Sequence, residues 1–280
     1  MKPNPATKIP SGEAVPVLGQ GTWAMGEQAR RAADEATALR IGLDLGMTLI
    51  DTAEMYGNGG AEEVVADAIA GRRDEVFLVS KVLPSNASER GVPRACEASL
   101  RRLGTDYLDL YLYHWRGGPD FSETIEALER LVDQGKIRHW GVSNLDVDDM
   151  EEWVAEASGE RVQTNQVLYN LTRRGIEFDL LPWLEKRNIP IMAYSPIEQG
   201  RLLNHATLKA IAARRNATPA QIALAWMLRQ DGMIAIPKAA SEKHVRENRA
   251  AVDVVLSSDD LAELDKAFPP PKRKRSLEML

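Results

Sequence analysis

The chain has 280 residues, of which 44% are hydrophobic and 27% charged, and this composition excludes collagen-like, low-complexity and disulfide-rich chains. Its formal net charge of −6 is unlike that of a protein that binds nucleic acid through the phosphates, and no apolar stretch approaches the roughly 18 residues that span a bilayer. Since Cys96 is the single cysteine and residues 1–15 lack a signal-peptide apolar run, we expect a cytoplasmic protein with no membrane or nucleic-acid partner.

Short apolar runs rich in β-branched residues recur along the chain, and segments with helical periodicity separate them. The strand-like runs are residues 17–22, 48–51, 76–81, 107–114, 137–144, 162–166, 189–195 and 233–238. In the segments between, apolar residues recur every three or four positions, as at Ile125, Leu128 and Leu131. Gly104 follows one such pattern directly, where a left-handed C-cap belongs. Alternating strands and helices predict parallel strands joined by right-handed crossovers.

Eight such runs at near-even spacing, without a linker between them, favour one α/β domain over residues 1–280, a (β/α)₈ TIM barrel. Residues 1–16 contain a Ser-Gly pair between short arms and predict an N-terminal β-hairpin that closes the barrel floor. Residues 269–280 are expected to form a solvated C-terminal tail with the basic run 272–275. An open, doubly wound sheet is the alternative fold.

A polar residue stands at the end of each strand-like run, in the order Thr22, Asp51, Lys81, His114, Asn144, Gln166, Tyr194 and Lys238. In a TIM barrel the carboxyl ends of all strands meet on one face, where active sites are found. Each residue alone has a structural explanation: Asp51 could cap a helix, Lys81 could extend to the rim, and His114 could be a structural histidine. Together they predict a polar site at the top of the barrel.

The chain resembles the aldo-keto reductases from its first strand to its last. The segments that carry this resemblance are GQGTW (19–23), LIDTAEMYGNGGAEEVV (49–65), VFLVSK (76–81), LDLYLYHW (108–115), GKIRHWGVSN (135–144), NQVLYN (165–170), AYSPI (193–197) and IPKAA (236–240). Within that family the chain is similar to bacterial methylglyoxal-reductase-like members. The resemblance implies the barrel fold and the reduction of a carbonyl group by NADPH (NADP⁺).

The resemblance also implies a catalytic tetrad of Asp51, Tyr56, Lys81 and His114. Hydride transfer to a carbonyl leaves an alkoxide, so a proton donor must stand at the oxygen, and Tyr56 takes that role. We expect the Lys81 ammonium to lower the tyrosine pKa, and Asp51 to hold the lysine charged. His114, as a neutral imidazole, is expected to orient the substrate oxygen.

For the cofactor, the resemblance implies contacts from the first, second and fifth to eighth strand ends. These residues are Gly21, Thr22, Trp23, Asp51, Ser143, Asn144, Gln166, Tyr194, Ser195, Pro196, Arg201, Leu202, Pro237, Lys238, Ser241, His244 and Asn248. Ser143, Asn144 and Gln166 are assigned to the nicotinamide carboxamide, Tyr194 to its ring, and residues 195–202 to the pyrophosphate.

Two segments depart from the family pattern. Glu198 and Gln199 stand in the pyrophosphate loop where small residues are common, and we expect the Glu198 carboxylate to point outward. His244 stands where many relatives have an arginine, six residues after the lysine that pairs with the 2′-phosphate, here Lys238. Because histidine lacks the bidentate, always-charged fork of arginine, a weaker preference for NADPH over NADH is predicted.

The expected substrate pocket is apolar and is lined by Trp23, Met55, Tyr56, Leu83, His114 and Trp115. The connection 115–120 is short, and little sequence follows the last helical pattern, so we expect an open, shallow pocket that accepts small reactive carbonyls such as methylglyoxal.

Two other classes stay open: a Schiff-base aldolase with Lys81 as nucleophile, and a non-catalytic or regulatory NADPH-binding subunit. A dinucleotide fingerprint is set aside because Gly19, Gly21 and Gly26 do not fit G-x-G-x-x-G. No metal is expected, since the histidines are scattered and cysteines are not paired. A monomer with a small carbonyl substrate is the expected state.

Overall fold

The computed structural model describes residues 3–280, and its centre is an eight-stranded parallel barrel. After a hairpin of β1 (Ala6–Lys8) and β2 (Ala14–Pro16), the barrel strands are β3 (Gln20–Gly21), β4 (Leu49–Asp51), β5 (Phe77–Val82), β6 (Leu108–Tyr113), β7 (Ile137–Ser143), β8 (Asn165–Leu168), β9 (Ile191–Tyr194) and β10 (Met233–Ala235). Strands adjacent in sequence are adjacent in the sheet, from β3 to β10. The barrel prediction is confirmed, and the doubly wound alternative, in which the strand order reverses, is wrong.

The barrel closes where its first and last strands meet. Parallel bridges join Leu18 to Ala235 and Gly21 to Lys238. The backbones come close at this seam, since a Cβ on Gly21 would lie 2.7 Å from the carbonyl oxygen of Ile236. Glycine is therefore required at position 21, next to the strand end where cofactor contacts are predicted.

Helices cover the outside of the barrel. They are α1 (Ala32–Asp44), α2 (Gly60–Ile69), α3 (Gly91–Leu103), α4 (Phe121–Asp133), α5 (Val147–Ala155), α6 (Leu180–Glu185), α7 (Ala206–Arg215), α8 (Pro219–Leu228), α9 (Glu242–Ala250) and α10 (Ser258–Ala267). Gly104 has a φ of +62° and ends α3 in the left-handed conformation, as predicted. No helix in residues 3–280 is long and apolar enough to cross a membrane.

The N-terminal hairpin lies at the bottom of the barrel. Its Ile9 and Val15 are buried against the apolar side chains that fill the barrel interior, among them Leu49 and Ile234. The Ser11 N–H donates to Gln163 Oε1 at 2.8 Å, at the foot of β8. The predicted hairpin at the barrel floor is thus present, with residues 1–2 outside the described part of the chain.

Two strand predictions are displaced. The sequence predicts the sixth strand at 162–166, but β8 spans Asn165–Leu168, so Gln166 is its second residue and not its end. Register explains the shift, because Ser143 at the end of β7 pairs with Gln166. The last strand ends at Ala235, three residues before Lys238, since Pro237 has no N–H to donate to the sheet.

The C-terminal segment, residues 269–280, is mostly exposed, including the basic run 272–275, but a few of its side chains anchor it to the barrel. Leu277 packs against the core, Glu278 forms an ion pair with Arg173 at 2.5 Å, and Lys274 lies 3.4 Å from Asp148 and 3.7 Å from Asp179. The backbone of Leu280 lies near the Tyr194 hydroxyl and opposes the rise in the pKa of Tyr194 that burial causes. The end of the chain therefore lies near Tyr194, although no long C-terminal loop follows the last helix.

Candidate active site

Lys81 lies at the centre of a buried polar cluster at the carboxyl ends of β4 and β5. Its Nζ is 2.8 Å from Asp51 Oδ2, 2.7 Å from the Thr52 carbonyl oxygen and 3.2 Å from the Tyr56 hydroxyl oxygen. These three acceptors match the three N–H donors of an ammonium group. Burial lowers the pKa of Lys81, and the Asp51 carboxylate opposes that shift. The geometry fits a charged lysine paired with a charged aspartate.

The strand register brings these two side chains together. Asp51 ends β4 and pairs with Val79 of β5, so Lys81, two residues further along β5, projects to the same side of the sheet. Thr22 at the end of β3 adds a hydrogen bond from its Oγ1 to the Asp51 carbonyl oxygen at 3.0 Å. Tyr56 returns to the cluster through a tight turn in which its N–H donates to the Ala53 carbonyl.

His114 follows β6 and completes the predicted tetrad. Its ring is 5.9 Å from the Tyr56 ring, centroid to centroid, in an edge-to-face arrangement. Its Nδ1 is buried without a hydrogen-bond partner among the described residues. Burial, followed by the Lys81 charge, lowers the pKa of His114 to about 2, so the imidazole is neutral as expected. The structure therefore brings all four predicted tetrad residues together.

The pKa of Tyr56 differs from the sequence-based expectation. Burial, followed by the Asp51 carboxylate, raises the pKa of Tyr56 well above its ordinary value, whereas a lowering by Lys81 was expected. Burial disfavours the charged phenolate more than one nearby ammonium, itself paired with Asp51, favours it. The tyrosine is thus fully protonated, which suits a proton donor.

Aromatic rings form the wall beside this cluster. Trp23 meets Tyr56 edge-to-face with centroids 5.0 Å apart, and Trp115 lies 4.6 Å from His114. Trp23 is 51% exposed and stands at the rim. Met55 and Leu83 are half-buried on neighbouring connections; Met55 packs on the core, and the Leu83 N–H donates to Glu54 at 2.6 Å.

The residues predicted at the nicotinamide are hydrogen-bonded to one another. Asn144 donates to the His114 carbonyl at 3.1 Å and accepts from the Tyr194 hydroxyl at 3.1 Å. Ser143 Oγ donates to the Gln166 carbonyl at 2.8 Å. The Gln166 amide donates to Asp51 Oδ1 at 2.7 Å, and this link from β8 to the tetrad was not predicted. Asn144 also has a φ of +55°, a conformation that asparagine tolerates well.

The loop after β9 contains a second difference from expectation. Glu198 does not point outward: its side chain is 6% exposed and is bound by Arg173, Asn170 and Arg201. Burial would raise the pKa of Glu198, but hydrogen bonds from those three side chains outweigh it and hold the pKa below its ordinary value. Arg201, predicted at the pyrophosphate, lies 3.0 Å from Glu198.

The loop after β9 also contains a buried polar atom without a hydrogen-bond partner among the described residues. Ser195 Oγ is buried and has no partner among the described residues, and Ser195 has a φ of +51°. Beside it, Pro196 and Leu202 are buried. Buried polar atoms without a partner are uncommon in folded proteins, so this hydroxyl is a candidate ligand contact.

The predicted 2′-phosphate site lies at the barrel seam. Lys238 is half-buried, and no carboxylate in residues 3–280 forms an ion pair with it. Burial lowers the pKa of Lys238, against the influence of Glu35. Ser241 caps α9 by accepting from the His244 N–H at 3.5 Å, and both side chains are exposed. The remaining predicted contacts there, Pro237 and Asn248, are buried.

Two contributors were missed from sequence. The Thr52 carbonyl binds Lys81, but a backbone acceptor leaves no mark on the residue type. Arg173 joins the loop after β9 to the C-terminal segment through Glu198 and Glu278. Nothing in local periodicity points to these long-range ion pairs.

The barrel and its Asp–Tyr–Lys–His cluster define an aldo-keto reductase, and the chain belongs to that family: the model for the Aldo/keto reductase family matches residues 17–268. Methylglyoxal reductase YeaE of Escherichia coli strain K12 is 55% identical over 272 residues, covering 95% of this chain and 96% of that protein. Glyoxal reductase of Bacillus subtilis strain 168 is 35% identical, covering 92% of this chain and 91% of that protein.

The solved structures give the same assignment. A crystal structure of an aldo-keto reductase from Klebsiella pneumoniae in complex with NADPH matches with a TM-score of 0.97 and 54% identity, covering 100% of both chains. The resemblance to the family, including its methylglyoxal-reductase-like members, is confirmed.

Proposed function

We propose that this protein is an NADPH-dependent reductase of small aldehydes and ketones, with 2-oxoaldehydes such as methylglyoxal as preferred substrates. The observation that carries this proposal is the Lys81 ammonium, bonded at once to the Asp51 carboxylate and to the Tyr56 hydroxyl beside His114. Such a cluster holds a protonated tyrosine next to a fixed positive charge in a buried pocket, which is what the protonation of a developing alkoxide needs.

The residues of the barrel top fit NADPH. Ser195 Oγ is a buried hydroxyl without a partner, and Lys238 is a half-buried cation with no carboxylate paired to it in the described chain. The amide side chains Asn144 and Gln166 supply both donors and acceptors for a carboxamide. With these contacts, Tyr194 and the loop 195–202 would hold the nicotinamide and pyrophosphate, and Lys238 the 2′-phosphate. When bound, NADPH supplies the hydride that the carbonyl carbon accepts.

The protein's own chemistry is the delivery of a proton. Because the Lys81 ammonium has no lone pair, it donates to the Tyr56 oxygen, and the tyrosine O–H is left free to face the substrate oxygen. The Tyr56 proton moves to that oxygen as the C–O double bond becomes a single bond, and the product is an alcohol. The phenolate left on Tyr56 is stabilised by Lys81, whose own charge is held by Asp51.

His114 and the aromatic wall orient the substrate. A neutral imidazole donates one hydrogen bond to the substrate oxygen without competing with Tyr56 for the proton. Trp23 packs against Tyr56 and Trp115 against His114, so apolar rings adjoin both residues that face the substrate oxygen. The similarity to proteins named methylglyoxal reductase and glyoxal reductase supports 2-oxoaldehydes as the class.

The aldolase alternative conflicts with the geometry around Lys81. A Schiff base requires a neutral amine with a free lone pair. Here the three atoms within hydrogen-bond distance of Nζ are all oxygens that accept, among them the Asp51 carboxylate. Borohydride added with substrate should therefore trap no covalent adduct. A non-catalytic subunit is the other alternative, and the complete tetrad argues against lost chemistry.

The test is a panel of 2-oxoaldehydes, simple aldehydes, ketones and sugars, followed by the loss of NADPH absorbance. We expect steady turnover with the highest kcat/KM for 2-oxoaldehydes. Sugars that outperform them would overturn the substrate class, and the absence of NADPH oxidation with every carbonyl would overturn the reductase itself.

The setting of the enzyme is part of the proposal. We infer a cytoplasmic monomer that works as one domain without nucleic acid, on the basis of an acidic chain and a single, buried cysteine, Cys96. Sedimentation of the full chain at micromolar concentration would test the monomer, since a dimer would sediment at twice the mass.

A further inference from the structure

Arg173 holds two carboxylates from different parts of the chain. It lies between β8 and α6, and its guanidinium is 3.0 Å from Glu198 in the loop after β9 and 2.5 Å from Glu278 in the C-terminal segment. The Arg173 side chain is 33% exposed, whereas the Glu198 side chain is 6% exposed. Losing the cation that pairs with a buried carboxylate costs more free energy than losing a surface ion pair, because water cannot replace the cation at a buried site.

Two arginines, Arg173 and Arg201, form ion pairs with Glu198, and one of them is enough to neutralise it. Arg201 approaches it from its own loop at 3.0 Å, and Asn170 donates to its second oxygen at 2.7 Å. Arg201 is more than half exposed and reaches solvent, so it can turn away at little cost. Arg173 and Asn170 would still satisfy both oxygens of Glu198 after that movement.

The loop that carries Glu198 is the one proposed to hold the pyrophosphate. An unpaired carboxylate there would repel a diphosphate and weaken cofactor binding. With Arg173 in place, the charge of Glu198 is neutralised, and Arg201 is available to the phosphate oxygens. Arg173 therefore makes the net charge of the pyrophosphate loop less negative without itself contacting the cofactor.

The second carboxylate bound by Arg173 belongs to the C-terminal segment. Glu278 lies two residues before Leu280, whose backbone lies near the Tyr194 hydroxyl. Lys274 ties the start of the same segment to Asp148. The cation thus holds the pyrophosphate loop and the segment at the nicotinamide end through one side chain.

We propose that Arg173 is a positioning residue for the cofactor: it neutralises Glu198 so that Arg201 can bind the pyrophosphate, and it anchors the C-terminal segment to the barrel through Glu278. This inference rests on the proposed NADPH-dependent activity. It assigns a role in binding to a residue outside the tetrad and outside the predicted contacts.

The test uses the full chain with Arg173→Gln, Glu198→Gln and the double variant, and measures dissociation constants for NADPH and NADH by fluorescence. We expect Arg173→Gln to weaken both cofactors by about tenfold, since both carry the pyrophosphate. The double variant should recover to within about threefold of the wild type, because residue 198 is then uncharged and the freed Glu278 carboxylate is 36% exposed to solvent. Arg173→Lys, which keeps the charge, should bind nearly as the wild type does.

Two further variants separate this effect from folding and from the tail. Arg130→Gln removes an arginine that pairs with Glu89 on the surface of α4, and its cofactor binding should not change. Glu278→Gln loses only the C-terminal arm and should raise the KM for methylglyoxal with NADPH affinity unchanged.

Unchanged cofactor affinity in Arg173→Gln, or a double variant as weak as Arg173→Gln, would overturn the charge role. An unchanged KM in Glu278→Gln would overturn the anchoring role. A wild type that fails to oxidise NADPH with any carbonyl would instead overturn the proposed function, so the two failures are distinguishable.

Discussion

The Nζ of Lys81 and the hydroxyl oxygen of Tyr56 are 3.2 Å apart, and the ammonium is the donor of that hydrogen bond. The direction matters, because a tyrosine that accepts from lysine keeps its own proton for another partner. Lys81 is held in place by two further oxygens, from Asp51 and Thr52. The proton available to a substrate in this pocket is therefore the one on Tyr56.

Replacing Tyr56 by phenylalanine should remove reduction and spare the cofactor. Positioned acids contribute about a hundredfold to ten-thousandfold in rate, so we expect kcat/KM for methylglyoxal to fall by at least about a hundredfold. The NADPH dissociation constant should stay within about twofold, because the ring and its packing against Trp23 are kept. Initial rates and fluorescence titration on one preparation measure both.

Tyr111 provides the matched control for this substitution. It is a buried tyrosine of β6 whose hydroxyl has no partner among the described residues, so Tyr111→Phe removes an O–H group without breaking a hydrogen bond. Its rate should match the wild type. Substantial turnover in Tyr56→Phe would rule out Tyr56 as the proton donor.

The two directions of the reaction should respond differently to pH. Burial raises the pKa of Tyr56 well above its ordinary value and lowers that of His114 to about 2. A raised tyrosine pKa keeps the proton on at neutral pH, so kcat for reduction should stay flat between about pH 6 and pH 9. Alcohol oxidation needs the phenolate, so its rate should climb as pH rises through the same range. A fall in the reduction rate with a midpoint near neutral pH would contradict this assignment.

The cofactor preference should depend on Lys238. Its ammonium is half-buried beside the barrel seam with no paired carboxylate in residues 3–280, so it is available to a 2′-phosphate. We expect Lys238→Ala to raise the KM for NADPH by about tenfold and to leave that for NADH unchanged. Lys272→Ala, an exposed lysine in the C-terminal segment, is the control and should change neither value. A ratio of NADPH to NADH efficiency that is the same in Lys238→Ala as in the wild type would remove the claim.

The sequence predicts those features of the fold and of the site that follow from hydrophobic periodicity and from residues at strand ends. Asp51 and Lys81 could be placed together because each ends a buried strand, and parallel strands in register align their carboxyl ends. The burial of Glu198 could not be predicted from sequence, because its counter-ion Arg173 lies 25 residues away in another connection. The anchoring of the C-terminal segment could not be predicted for the same reason: its basic run is exposed as its composition suggests, but Glu278 pairs with Arg173, 105 residues away.

Removing one partner of the Asp51–Lys81 pair should lower the free energy of unfolding more than removing both partners together. The pair is buried, with the lysine side chain 0% exposed and the aspartate 3% exposed. Asp51→Asn leaves a buried cation, and Lys81→Met leaves a buried carboxylate held only by Gln166. Removing one partner of a buried ion pair costs about 3–5 kcal/mol, so we expect each single variant to lose free energy of unfolding of that order.

The double variant Asp51→Asn/Lys81→Met tests whether that cost comes from the stranded charge. With both charges absent, no ion is left without a partner, and its loss of unfolding free energy should be smaller than the sum of the two single losses by at least about 1 kcal/mol. Urea unfolding of the four proteins in one buffer measures the cycle. Strictly additive losses would mean that the two side chains stabilise the barrel independently, and the charged pair inferred from the 2.8 Å contact would then be wrong.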